Sequence, residues 1–239
     1  TALEKAAASE ARWAKGAPLG PLDGLPMTVK DNVAQEGYSM LRGSRISAAS
    51  RMAFSAPVVA RMVDAGAIPV GRTTLPEYGW KGLGDSPQHG ITRNPWDTRF
   101  TTGGSSAGAG AAAALNLGVL HIGTDGAGSV RIPSSFCGVF GLKPSYGRIP
   151  AYPPSPFAIV SHVGPMTRSV RDAALMLSLT SGPDPRDITA IHAPSPDFRV
   201  GLEDGVRGMR IGWSPRLGYV ENLDPEVEEM TAKAAKVFE

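Results

Sequence analysis

The chain has 239 residues, 42% hydrophobic and 19% charged, a composition that fits a globular protein and excludes a largely disordered one. Its 24 Lys and Arg against 22 Asp and Glu leave a net charge of +2, so nothing points to nucleic acid or an anionic membrane as partner. One cysteine, Cys137, excludes an internal disulfide and suits a reducing, cytoplasmic compartment, and no run of about 18 apolar residues offers a membrane-spanning helix.

Residues Ala2 to Lys15 read as a helix stopped by Gly16. Leu25 to Lys30 is short, β-prone and bounded by turn residues, which predicts a strand with Lys30 near its end. Pro57 to Ala65 reads as a helix with proline in its first turn, and Ala67 to Val70 as the buried strand after it. Ala107 to Leu117 is an alanine-rich helix, followed by a strand over Val119 to Ile122. Thr167 to Ser178 is amphipathic at helical spacing. Met209 to Trp213 is a strand candidate. Asp224 to Phe238 is a helix with Asp224 as N-cap, Pro225 at the first position and acids in the first turn. This alternation predicts an α/β protein with a mixed sheet. Two stretches, Gly79 to Thr102 and Pro144 to Pro165, read as long loops, and loops that long inside a domain usually carry function.

Before the alanine helix stands Thr101 to Gly110, TTGGSSAGAG. A phosphate-binding P-loop needs Lys after its last glycine, and Ala111 stands there. Gly108 to Ala113 matches the letters of a dinucleotide turn, but no apolar strand leads into it. A second glycine loop, Gly123 to Ser129, reads GTDGAGS. Consecutive small residues leave backbone N–H groups free to converge on an anion, and Ser129 ends that nest. A nucleophile beside an oxyanion hole is what acyl transfer requires. The base is open on residues alone. His89, His121, His162 and His192 lie in no compelling context, and His121 reads as a satisfied core residue. The alternative is a lysine made neutral by burial, since a free lysine titrates near ~10.4 and burial lowers this by several units. Lys30 follows an apolar strand, and Ser105 or Ser106 offers a proton relay.

Several stretches together carry a family resemblance: GLPMTVKDN (24–32), VGRTTLPEYG (70–79), NPW (94–96), GGSSAGAGAAAA (103–114), the long GTDGAGSVRIPSSFCGVFGLKPSYGRIP (123–150) and GPMTRSVRDAALML (164–177). The sequence resembles the amidase signature family of serine hydrolases, with the motifs in the family's order and Lys30, Ser105 and Ser129 at matching separations. The resemblance implies a mixed β-sheet flanked by helices on both faces. It implies Ser129 as nucleophile, Ser105 as the bridging serine after a cis peptide, and Lys30 as general base. The amides of Gly126, Ala127, Gly128 and Ser129 would form the oxyanion hole, and Gly79 and Ser105 would line the substrate's acyl pocket. No metal or organic cofactor is implied. The implied partner is a small amide substrate, with neither nucleic acid nor membrane, and a homodimer is allowed. Members of the family are considerably longer, so one domain over residues 1–239 is expected to be cut short at its C-terminal end and at its N-terminal end.

Ala107 and Ala127 stand where the family usually has glycine, and Ala127 would be strained if its φ were positive. Asp125 and Arg131 are expected to orient the nest, and Cys137 to be a small buried hydrophobe. Trp80, Trp96, Phe136 and Phe157 fit either a pocket wall or core packing. Three functions follow: a free-standing amidase, the ammonia-channelling component of a tRNA-dependent amidotransferase, or a non-catalytic scaffold. The segment IPAYPPSPFAIVSHVGPMTR favours the first.

Overall fold

The computed structural model describes residues 1–239. They divide into two compact units, Thr1–Arg199 and Val200–Glu239, where the sequence pattern predicts one domain. No residue beyond Ala190 contributes to the buried hydrophobic core.

The first unit begins with α1 (Ala2–Ala14), whose N-cap Thr1 and Glu4 bond reciprocally in a capping box. There follow β1 (Pro26–Lys30), α2 (Pro57–Asp64), β2 (Ile68–Thr73) and a short hairpin of β3 (Asp85–Ser86) and β4 (Gly90–Ile91). Then come α3 (Ala107–Ala114), β5 (Leu120–Asp125), α4 (Arg131–Cys137), β6 (Phe140–Gly141), β7 (His162–Thr167) and α5 (Val170–Thr180). Five strands form one sheet in the order β2-β1-β5-β7-β6. β1 runs parallel to β2 and β5, while β7 runs antiparallel to β5 and β6, so the sheet is mixed as expected.

Side chains alternate across a strand, and β1 uses its two faces differently. Met27 and Val29 join Leu120 and Ile122 of β5, Val58 and Met62 of α2, and Met176 of α5 in the main core. Thr28 and Lys30 take the opposite face: Thr28 meets His121, and Lys30 meets the serines at the start of α3. Burying each large apolar side chain contributes about 1.5–3 kcal/mol. That face therefore fixes the register, because a one-residue slip would put Lys30 into the apolar core. The parallel strands β1 and β5 end at the same edge of the sheet, the edge where ligands bind in open α/β sheets.

Several expectations change. β7 and α4 were not legible: His162–Pro165 fell inside a predicted loop, and Arg131–Cys137 had no assignment. Gly164 and Pro165 hide the strand, and pairing with β5 and β6 overrides their poor local propensity. Pro133 and two serines mask α4. Met209 to Trp213 forms no strand; no strand in the chain pairs with it, and Met209, Ile211 and Trp213 are all more than half exposed. A strand without a partner leaves its backbone groups unmatched. The two-residue strands β3, β4 and β6 were not foreseen either, the first two lying within the predicted loop Gly79 to Thr102, while the remaining elements lie where expected, including the closing helix α6 (Pro225–Ala235), whose N-cap Asp224 accepts the Glu226 N–H at 2.9 Å.

Candidate active site

Lys30 is the last residue of β1 and is completely buried. Its Nζ lies 2.8 Å from Ser105 Oγ, 2.9 Å from Ser106 Oγ and 2.8 Å from Thr124 Oγ1. Every one of these partners is a neutral hydroxyl. Burial lowers the Lys30 pKa to about 7, and the negative charge of Asp125 offsets part of that shift.

Ser105 and Ser106 precede α3, and the Gly104–Ser105 peptide is cis. Gly108 explains how α3 lies so near β2: a Cβ there would come within 2.4 Å of the Thr74 amide nitrogen. Ala107, in place of the family's glycine, is buried at the first helical position without positive φ. The Ser106 N–H donates to the Ser129 carbonyl at 3.0 Å, which ties the two glycine loops together.

The second loop follows β5. Asp125 ends the strand and is also completely buried. Its carboxylate accepts N–H bonds from Gly128 at 2.7 Å and Val130 at 3.1 Å, and two from the Arg131 guanidinium at 3.0 Å each. Burial alone would raise this carboxyl's pKa. The Arg131 guanidinium and the backbone donors outweigh burial and hold it at about 2. Asp125 and Arg131 thus orient the nest, as their positions suggested. Gly128 carries the loop's positive φ, +114°, and a Cβ there would sit 2.9 Å from Ile132 Cδ1. Ala127 does not have positive φ, so its extra methyl is unstrained, and it is exposed. Of the four amides expected to form an oxyanion hole, the Gly128 N–H is committed to Asp125 Oδ1, while those of Gly126, Ala127 and Ser129 have no acceptor within the chain.

Ser129, Ser105, Thr124, Gly126, Ala127 and Gly79 line one cavity of about 870 Å³. The Ser129 hydroxyl makes no hydrogen bond within the chain and opens toward this cavity. Gly79 lies against Ser105, its ideal Cβ position 3.2 Å from Ser105 Oγ. Trp80 and Phe157 stack at 6.1 Å with 18° between planes and form part of the wall. Trp96 and Phe136 lie elsewhere, Trp96 donating to the Cys137 carbonyl at 2.8 Å. Of the histidines, none lines this cavity. His121 is buried against Thr28, and burial lowers its pKa to about 4. Cys137 is buried and its thiol pushed up to about 11. No cluster of three His, Cys, Asp or Glu side chains is placed to hold a metal ion, and no helix is long and apolar enough to cross a membrane. Sequence reasoning missed Thr124 and Asn32, whose amide donates to Thr124 Oγ1 at 3.0 Å; no local signal marks a contact made 94 and 92 residues away.

The amidase family model matches residues 1–239, the whole chain. The chain belongs to the amidase signature family. It is 40% identical over 238 residues to the A subunit of the glutamyl-tRNA(Gln) amidotransferase of Chloroflexus aurantiacus, covering 99% of this chain and 49% of that protein. Among solved structures, a bacterial aryl acylamidase superposes with a TM-score of 0.88 at 37% identity, covering 99% of this chain and 49% of that one. The peptide amidase of Stenotrophomonas maltophilia superposes with a TM-score of 0.82 at 34% identity, covering 97% of this chain and 50% of that one. The chain spans about half the length of the curated relatives it matches.

Proposed function

We propose that this chain carries the machinery for cleaving a carboxylic amide through a Ser129 acyl-enzyme. The observation that carries the reading is a buried lysine, held near neutrality, bonded to Ser105 in a cavity that Ser129 shares. Neutral Lys30 takes the Ser105 proton as Ser105 takes that of Ser129. The Ser129 oxygen then bonds to the amide carbon, and the carbonyl electrons move onto oxygen beside the amides of Gly126, Ala127 and Ser129. The proton returns along the same path to the leaving nitrogen, the C–N bond breaks, and amine or ammonia departs. Water adds to the ester carbon, its proton passing to Lys30, and the acid leaves as Ser129 regains its proton.

A second reading is the ammonia-producing half of a tRNA-dependent amidotransferase, which would act with partner proteins. The 40% identity to that enzyme's component in Chloroflexus aurantiacus favours it. The cavity wall favours the first reading, because Trp80 and Phe157 stack in it and give an apolar surface suited to an uncharged aryl or alkyl amide. We therefore favour a free amidase acting on a small uncharged amide, and a homodimer fits this reading as well as a monomer. A fluorophosphonate probe should label the protein on Ser129, and Ser129→Ala should abolish the label. A wild-type protein that is folded and unlabelled would overturn the acyl-enzyme reading. Glutamine turnover faster than that of aryl amides would favour the second reading.

A further inference from the structure

We propose that Ser106 and Thr124 are positioning residues that hold both N–H bonds of neutral Lys30 and so aim its lone pair at Ser105. The inference rests on the acyl-enzyme reading above and concerns the direction of its first proton transfer.

A neutral amine has two N–H bonds and one lone pair, and three hydroxyls surround Lys30 Nζ at 2.8–2.9 Å. Which hydroxyl donates to the lone pair decides whether the proton path starts correctly. Ser106 has another acceptor for its proton. Its Oγ gives its one proton to the Thr124 carbonyl at 3.2 Å, and it accepts the Thr124 N–H at 3.3 Å. The lone pair left on Ser106 Oγ can only accept from Lys30. Thr124 lines the cavity, and its Oγ1 accepts from Asn32 Nδ2 at 3.0 Å. Its second lone pair is available to a Lys30 N–H, and the Thr124 carbonyl lies 3.4 Å behind it. Ser105 differs, because Lys30 is the only partner of its Oγ within the chain. With Ser106 and Thr124 occupying the two donors, the remaining tetrahedral direction on Nζ faces the Ser105 hydroxyl.

Position reinforces the assignment. Ser106 and Thr124 bond each other twice, so the two acceptors move as one body bridging α3 and β5. Gly123 makes room for this bridge, since a Cβ there would meet Ser106 Oγ at 3.1 Å. The charges acting on Lys30 are few. Asp125 from β5 faces it and is paired with Arg131, and Asp31, next in the chain, is paired with Arg72 of β2.

The test is the rate of Ser129 labelling by a fluorophosphonate as a function of pH, on variants whose folding is checked by thermal melting. Ser106→Ala and Thr124→Val should each slow labelling by about 10–100-fold, a part of the about 10²–10⁴-fold that a positioned base contributes. Each should also move the acid limb to lower pH, because the ammonium loses one of its three acceptors. Thr124→Ser keeps the hydroxyl and should restore the rate and the limb. Wild-type rates and an unmoved limb in folded Ser106→Ala and Thr124→Val would overturn the proposal. So would a slowing that Thr124→Ser shares with Thr124→Val, since that would reflect packing alone. An unlabelled wild type would instead overturn the acyl-enzyme reading beneath it, so the two failures are distinguishable.

Discussion

Two ionisable side chains stand at the ends of neighbouring strands, both fully buried, and the fold treats them oppositely. Lys30 closes β1 among hydroxyls that carry no charge. Asp125 closes β5 against a guanidinium and three backbone amides directed at its carboxylate. Burial pushes each toward its neutral form. For Asp125 the partners win and the carboxylate keeps its charge; for Lys30 they do not, and its pKa falls to about 7. Equal burial therefore predicts nothing about protonation until the partners are named. One residue is a fixed anion that shapes a loop, and the other is a base available near neutral pH.

The largest effect expected from this contrast is catalytic. Lys30→Met should reduce Ser129 acylation by at least about 10²–10⁴, the usual contribution of a positioned base, while stability holds or rises because a costly buried amine is gone. Rates from probe labelling and melting temperatures check both halves. Asp125→Asn should do the reverse in stability. Losing the charge leaves buried N–H donors poorly matched, at about 1–3 kcal/mol. Arg131 is half-exposed and keeps its hydration, which limits the loss. If the two variants lost stability equally, the contrast would be wrong.

Stability should also follow pH in a defined direction. The Lys30 pKa in the folded chain lies below the unfolded value of ~10.4, so between about pH 7 and ~10.4 the unfolded state holds more protons. Its destabilising contribution is complete at and below about pH 7 and is relieved as pH rises through that window. Comparing urea midpoints of wild type and Lys30→Met across the window isolates the effect.

The smallest effects lie within the nest. Gly128→Ala should cost about 1–2 kcal/mol or more, because its φ of +114° suits no L-residue and the new methyl meets Ile132. Ala127→Gly should change stability by no more than about 0.5–1 kcal/mol, since nothing there requires glycine. Denaturation of the pair shows which position carries the turn.

The same contrast marks what the sequence could reveal. Lys30, Ser105 and Ser129 were legible because their motifs put a strand-end lysine and two serine loops in one order. The longer helices and β1, β2 and β5 were legible from apolar patterning and turn residues. Thr124, Asn32 and the bonding of Ser106 were not, because their roles exist only once β1, α3 and β5 meet. The commitment of the Gly128 amide to Asp125 was hidden for a related reason: a glycine nest reads as four free donors until the carboxylate's direction is known. β7 was lost to its own Gly164 and Pro165, whose place in the sheet is set by neighbours on both sides.

The most direct measurement is the titration of Lys30 itself, followed by NMR of its labelled ε-carbon, with Lys30→Met identifying the signal. The account predicts a midpoint near the value of about 7 that burial among neutral hydroxyls gives it. A midpoint at ~10.4, that of a free lysine, would show a charged amine at neutral pH and contradict the assignment of Lys30 as base.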